Sequence, residues 1–385
     1  MPAARQGAIL SVNAGSSTLK YAFYPVTHGQ VGTACAAGVL EGLERGEEAF
    51  GRALAHLVAQ LDSPAGALRL MAVAHRVVHG GERFRAAARV DDAVLAALSE
   101  LNPLAPLHQP HNLEGIRRLR AHWPDVPQVA CFDTAFHAGM PEQECRFALP
   151  EALFRQGIRR YGFHGLSYRH VVDVLDAKRG RATGRGLLAH LGSGASLCAV
   201  RDGKSQASTM GFTALDGLMM GTRSGALDPG VLLYLLRRGW DAGRLEHLLY
   251  RESGLLGVSG LSADLRVLRE SEDPAARRAI DLFAARVVRE AGAMAAILGG
   301  LDLVAFTGGI GEHDAAMRRD VAERLAYLGI RLDGEKNRSS GDGVRAIHAP
   351  DSSVEVWVVP ADEGMAAAQE AWELLSSGGR SHPVP

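Results

Sequence analysis

The chain has 385 residues, 47% of them hydrophobic and 22% charged, with a formal net charge of −1. That length leaves room for roughly two or three domains with cores of their own. Near-neutral charge without a basic run excludes general attraction to nucleic acid or an anionic membrane, and no apolar stretch is long enough to span a bilayer. Four cysteines without a CxxC pair or metal-ligand spacing fit reduced thiols. The N-terminus shows no basic segment followed by a long apolar region, so the expectation is a cytoplasmic protein.

The apolar run Ala8–Val12 meets a turn of small residues, Asn13 to Thr18, and then alternates, with Leu19, Tyr21 and Phe23 on one face and Lys20 on the other. This reads as a β-hairpin whose tip lacks bulk, so backbone N–H groups and hydroxyls can approach an anion, with Lys20 adding a charge. Helix-like spacing follows over Ala49–Leu61, then a buried strand over Met71–Val78 that stops at Gly80-Gly81. His75 and His79 stand four apart, but on a strand that spacing does not gather two ligands around one helical face, which rejects a metal site. Leu101–His111, with three prolines, reads as an ordered loop, with a helix from about Asn112 and a strand over Val126–Cys131 that delivers Asp133. An acidic residue at a strand's C-terminal end suits either a cleft or a helix cap.

His164 lies in the loop Tyr161-Gly162-Phe163-His164-Gly165. A second strand and small-residue tip, Leu187–Leu191 into Gly192-Ser193-Gly194-Ala195-Ser196, returns as Leu197–Val200. Arg223 sits in a glycine-bracketed loop ahead of Asp228-Pro229, which opens a helix; that site suits an anion, the alternative being an arginine merely solvated or salt-bridged on the surface. Asp273-Pro274 opens the clearest helix. Its stripe of Ile280, Phe283, Val287, Ala291, Met294 and Leu298 runs to Gly299-Gly300 and reads as core. A third strand, Leu303–Phe306, runs into the tip Thr307–Gly311. A helix from about Asp314, a strand over Val354–Val359 and the acidic turn Pro360–Gly364 follow, and the tail from Ser376 reads as frayed. Three such tips together point to phosphate binding between two related halves. Gly203-Lys204-Ser205 is no Walker loop, because GxxxxGK[ST] requires a glycine where Cys198 stands. No protein-kinase motif is present either.

Taken in order, Val12–Lys20, His75-Arg76-Val77-Val78-His79-Gly80-Gly81-Glu82, Ala105-Pro106-Leu107-His108, Phe132-Asp133-Thr134-Ala135-Phe136-His137, Tyr161–Gly165 and Met220-Gly221-Thr222-Arg223 closely resemble the acetate kinase family. The resemblance runs from about Ala8 to about Glu370. It implies an α/β fold of the sugar kinase, actin and heat-shock ATPase type, with two related domains of mixed sheets flanked by helices and the active site in the interdomain cleft. The expected division is 1–136 plus 365–385 against 137–364. It implies reversible, direct in-line phosphoryl transfer between ATP and acetate, giving acetyl phosphate and ADP, with Mg2+ (or Mn2+), in a homodimer. Propionate or butyrate kinases and a slow ATPase are the alternatives. A clamp built from Arg76 and Arg223 argues against the ATPase, which has no use for one.

The same resemblance implies roles for single residues. Arg76 takes the substrate carboxylate, Arg223 and His164 the transferring phosphoryl group, and Asp133 is the family's catalytic acidic residue. Asn13 and Glu363 match magnesium positions and Lys20 a phosphate contact. The nucleotide segments correspond to His190, Leu191, Gly192, Ser193 and Gly194, to Asp264, Leu265 and Arg266, and to Gly309, Ile310, Gly311, Glu312 and His313. Val78, Leu107 and Phe163 match an apolar pocket for the methyl group. Ser193 and His313 stand where asparagines are usual, Ala195 where a serine is, and Leu265 where a phenylalanine is. Ala214 replaces a pocket-lining proline, which implies a larger acyl pocket that admits propionate.

Overall fold

The computed structural model describes residues 6–15, 17–42, 47–61, 68–106, 108–341 and 343–377. Two compact units divide the chain: Met1–Ala138 with Asp362–Pro385, and Gly139–Ala361.

The first unit is built on β1 (Gln6–Ala14), β2 (Thr18–Thr27), β3 (Gln30–Val31), β4 (Ala36–Glu41), β5 (Leu68–Val77), β6 (Ala88–Arg89) and β7 (Gln128–Phe132). The sheet order is β3-β2-β1-β5-β7-β6, with β4 also paired to β2. β1 and β2 form the antiparallel hairpin read from the alternation, whereas β1, β5 and β7 run parallel, so the sheet is mixed. Leu19, Tyr21 and Phe23 are buried as the alternation requires, packing with Leu10, Val12 and Val73. Val77 and Phe132 pack with Leu98, Leu113 and Ile116 from the helices Asp92–Ser99 and Gln109–His122. Each fully buried leucine or phenylalanine contributes about 1.5–3 kcal/mol. The helix Glu363–Ser376 adds Ala366, Ala367, Ala368 and Ala371, all fully buried, to the same unit.

The second unit is built on β8 (Arg185–Leu191), β9 (Ala195–Arg201), β10 (Lys204–Ser208), β11 (Leu303–Thr307), β12 (Arg345–Ala346) and β13 (Glu355–Val358), in the order β10-β9-β8-β11-β13-β12. It repeats the pattern of the first: an antiparallel hairpin, β8 and β9, beside parallel β8, β11 and β13. The helix Pro274–Leu298 opens with the Asp273 carboxylate accepting from Ala275 N and closes at Gly299, φ +70°. Its expected stripe is buried throughout.

Two expectations are corrected. Leu101–His111 is not all loop: a 3-10 turn covers Asn102–Leu104, and a helix starts at Gln109 rather than Asn112. Pro110 occupies its first turn, where the missing N–H is an orphan in any case. The third strand does not end in an open tip. Gly308, at φ +76°, turns β11 directly into the short helix Gly308–His313. Leu107 and Ser16 lie outside the described residues, as does the tail from residue 378.

Candidate active site

In the first unit, parallel pairing of β5 and β7 sets Arg76 beside Cys131 and Val77 beside Phe132. The chain then leaves both strands at their C-terminal ends, where an α/β sheet presents ligand-facing residues. Asp133, at that end of β7, does not cap a helix; its side chain is 2% exposed and binds Arg76. Arg76 Nε donates to Asp133 Oδ1 at 3.0 Å, and Nη2 donates to Oδ2 at 2.7 Å. Arg76 Nη1 reaches Glu363 Oε2 at 2.9 Å. These contacts engage three of the five guanidinium N–H groups, which leaves one on each terminal nitrogen.

Burial raises the Asp133 carboxyl pKa, with Arg76 pulling it down and Glu363 pushing it up. Burial also opposes the Arg76 charge, but Asp133 and Glu363 overcome it and hold that pKa far above its ordinary value. The cluster is therefore a fixed cation steadied by two carboxylates.

Buried amides hold the surrounding backbone. Asn112 Oδ1 accepts from Val78 N and its Nδ2 donates to the carbonyl of Ala14 at the first hairpin's tip, while Gln109 bonds both the N–H and the carbonyl of His79. Thr134 Oγ1 accepts from Gly80 N. No local motif signalled Asn112 or Gln109, since a helix-borne amide reads as surface until its partners are known. In the same hairpin Asn13 is paired in register with the exposed Lys20, so the two share a face at the tip. His75, neutral with a pKa lowered by burial to about 4, bonds Gln128, and His79 Nδ1 accepts from Gly81 N. Among the described residues no group of three or more His, Cys, Asp or Glu could hold a metal ion.

In the second unit, the hairpin of β8 and β9 turns through Gly192-Ser193-Gly194, closed by Gly192 N donating to Gly194 O at 3.0 Å. Ser193 O accepts from Gly221 N, tying this loop to the Gly221–Arg223 segment. Arg223 Nη1 donates to the carbonyl of Ala214 at 2.7 Å. A Cβ at Gly194 would lie 3.2 Å from Arg223 Nη2 and 3.3 Å from His164 Nε2, so the loop backbone, the guanidinium and the imidazole converge there.

His164 precedes the helix Gly165–Arg179 in the left-handed region, φ 59°, a conformation that is costly for a residue other than glycine and that concentrates at functional sites. Its ring stacks on His190 at 4.1 Å, its Nδ1 lies 2.8 Å from Ser196 Oγ, and His190 Nδ1 lies 2.8 Å from Ser167 Oγ.

The remaining expected positions are more scattered. Val78 and Phe163 are both buried, in the first and second unit respectively. Leu265 is buried in the core, while Asp264 caps the helix Leu265–Glu270 and pairs with an exposed Arg266. Gly309 and His313 are exposed and Ile310 half-buried. The carbonyls of Gly311 and Glu312 are held by Arg318, 1% exposed, which also bonds Asn337.

Residues 8–369 match the model of the acetokinase family. The chain belongs to that family. It is 52% identical to an acetate kinase of Rhodopseudomonas palustris over 329 residues, 85% of this chain and 82% of that one. The crystal structure of Porphyromonas gingivalis acetate kinase superposes with a TM-score of 0.87 at 36% identity, covering 96% of this chain and 100% of that chain. A propionate kinase from Francisella tularensis superposes with a TM-score of 0.84 at 34% identity, covering 94% and 98%. The two mixed sheets flanked by helices are thus the fold of its family. No helix among the described residues is long and apolar enough to cross a membrane.

Proposed function

We propose that this chain catalyses reversible phosphoryl transfer between ATP and acetate, giving acetyl phosphate and ADP by in-line transfer. The observation that carries the reading is the family match across residues 8–369.

A carboxylate acceptor is already ionised at neutral pH, so no base is needed. The difficulty is bringing it to a polyanion while charge spreads over the transferring group, for which fixed donors and cations are the remedy. Arg76 receives the acetate carboxylate through its remaining N–H groups. Asp133, bound to two of its nitrogens, orients that guanidinium and is not a proton acceptor. The family resemblance assigns Val78, Leu107 and Phe163 to the methyl group of the substrate. His164 and Arg223, converging at Gly194, stabilise the transferring phosphoryl group, with Lys20 as a further phosphate contact. The segments around Gly192, Asp264 and Gly311 take the nucleotide.

Asn13 and Glu363 would hold Mg2+, for which Mn2+ could substitute. The donors suit that ion, since Glu363 supplies one carboxylate and magnesium typically takes one or two carboxylates together with substrate phosphates. When bound, the ion neutralises phosphate charge. The two compact units are the two domains of the enzyme, which acts in the cytoplasm as a homodimer. The helix Pro229–Arg237 supports the dimer, because it exposes Leu233, Tyr234 and Leu236.

Propionate as a further substrate is favoured by Ala214, whose carbonyl is fixed by Arg223 while its side chain is only a methyl. The test is hydroxylamine trapping of acyl phosphate from magnesium, ATP and acetate, propionate or butyrate, with Arg76→Ala as control. Trapped product from acetate, lost in the control, is expected. Phosphate release without trapped product would overturn the reading in favour of an ATPase.

A further inference from the structure

Two buried hydroxyls of the second unit, Ser196 and Tyr168, have no task in the reaction above. Ser196 lies on β9 and Tyr168 on the first turn of the helix that begins directly after His164, and both are 0% exposed. Ser196 Oγ stands between two partners, 2.8 Å from His164 Nδ1 and 2.5 Å from the Tyr168 hydroxyl. Burial pushes the pKa of the phenol well above its ordinary value, so the ring keeps its proton.

The spacing admits one continuous order of donation: the phenol, which keeps its proton, donates it to Ser196 Oγ. Ser196, having accepted that bond, directs its proton at His164 Nδ1. A neutral imidazole whose Nδ1 accepts must carry its proton on Nε2. Nε2 is the atom that faces Gly194 beside Arg223 Nη2.

We propose that Tyr168 and Ser196 are positioning residues that hold His164 as its Nε2–H tautomer, so that the ring offers a donor beside Arg223 to the transferring phosphoryl group. This rests on the phosphoryl-transfer reading. The unfavourable φ at His164 fits the same purpose: the backbone aims the ring, and the hydroxyl pair sets which nitrogen donates.

The test is carried out on the full-length chain labelled with 15N-histidine, with the His164 signals identified by their loss in His164→Gln. Long-range proton–nitrogen correlation in the wild type is expected to show a pyridine-like Nδ1 and a pyrrole-like Nε2. Ser196→Ala is expected to lose that fixed tautomer and to lower kcat for acyl phosphate formation about 10–100-fold, with KM for acetate within about twofold. Tyr168→Phe is expected to lower kcat about tenfold, and Ser196→Thr, which keeps the hydroxyl, to retain the tautomer. A pyrrole-like Nδ1 in the wild type, or unchanged kcat in both deletion variants, overturns the proposal. A wild-type chain that shows the stated tautomer yet forms no acyl phosphate overturns the phosphoryl-transfer reading while the hydrogen-bond chain stands.

Discussion

The convergence at Gly194 makes a single added methyl group an informative perturbation. Gly194 does not adopt a positive φ, so alanine brings no backbone strain there. It would also reduce the entropy of the unfolded chain, a gain of about 0.4–1 kcal/mol where the native conformation tolerates the change. The methyl would, however, stand 3.2 Å from Arg223 Nη2 and 3.3 Å from His164 Nε2, closer than a carbon and a ring or guanidinium nitrogen normally settle. Both groups must yield by about 0.3 Å, and since a misplacement of about 1 Å in a reacting constellation can cost about 100-fold, two smaller shifts cost about tenfold, or roughly 1.4 kcal/mol. Gly194→Ala is therefore expected to melt within about 3 °C of wild type while kcat falls about tenfold and KM for acetate holds. Trapped acyl phosphate and thermal unfolding, measured on the same preparation, check the pair. Wild-type kcat would refute the argument that His164 and Arg223 meet the phosphoryl group at this point, and a collapse in melting temperature would show that the methyl disrupts the loop instead.

Three further outcomes follow from the geometry. Arg76→Met leaves Asp133 buried against Glu363 without its cation and should cost about 3–5 kcal/mol by denaturant unfolding; adding Asp133→Asn should restore much of that stability and none of the activity. Burial would raise the Glu355 pKa, but Arg179, Trp357 and Arg181 hold it down to about 2 from the usual 4.5. A carboxyl depressed on folding stabilises above its unfolded pKa and loses that contribution as pH falls through the folded one. Glu355→Gln should thus cost about 1–2 kcal/mol at pH 7, allowing for solvent screening, with the deficit closing between pH 4.5 and 2. Ala214→Pro keeps the carbonyl that Arg223 uses and should shift the acetate-to-propionate ratio of kcat/KM toward acetate by about tenfold or more; an unchanged ratio would rule out position 214 as the determinant of chain length.

Features written in adjacent residues were legible in the sequence. Asp273-Pro274 and Gly299 fix the ends of the longest helix because cap, N1 proline and C-terminal glycine act within one turn. The first two hairpins were legible for a similar reason, since a small-residue turn defines each locally, with alternation added in the first. The proline-rich stretch misled because Pro110 looks the same in a loop and in the first turn of a helix. The tip after β11 misled because a positive φ at Gly308 can open a helix as readily as a turn. The partnership of Arg76 with Glu363 joins residues far apart in the chain, and no local pattern carries it. Ser196 and Tyr168 were invisible for the opposite reason: their types are ordinary for a strand and a helix, and only their distances to His164 distinguish them.

The route of the chain through its units has a consequence for synthesis. The helix Glu363–Ser376 supplies four fully buried alanines to the first unit, its Ala367 carbonyl accepts from Cys131 Sγ, and its cap Asp362 receives the Tyr24 hydroxyl. The second unit is one continuous run, Gly139–Ala361, and can close as soon as it leaves the ribosome. The first unit cannot. After its sheet strands emerge, about 220 further residues must be translated before the last helix arrives, a delay of about 10–45 s at ordinary elongation rates. Throughout that interval the faces of β1, β5 and β7 that the helix covers remain open to solvent.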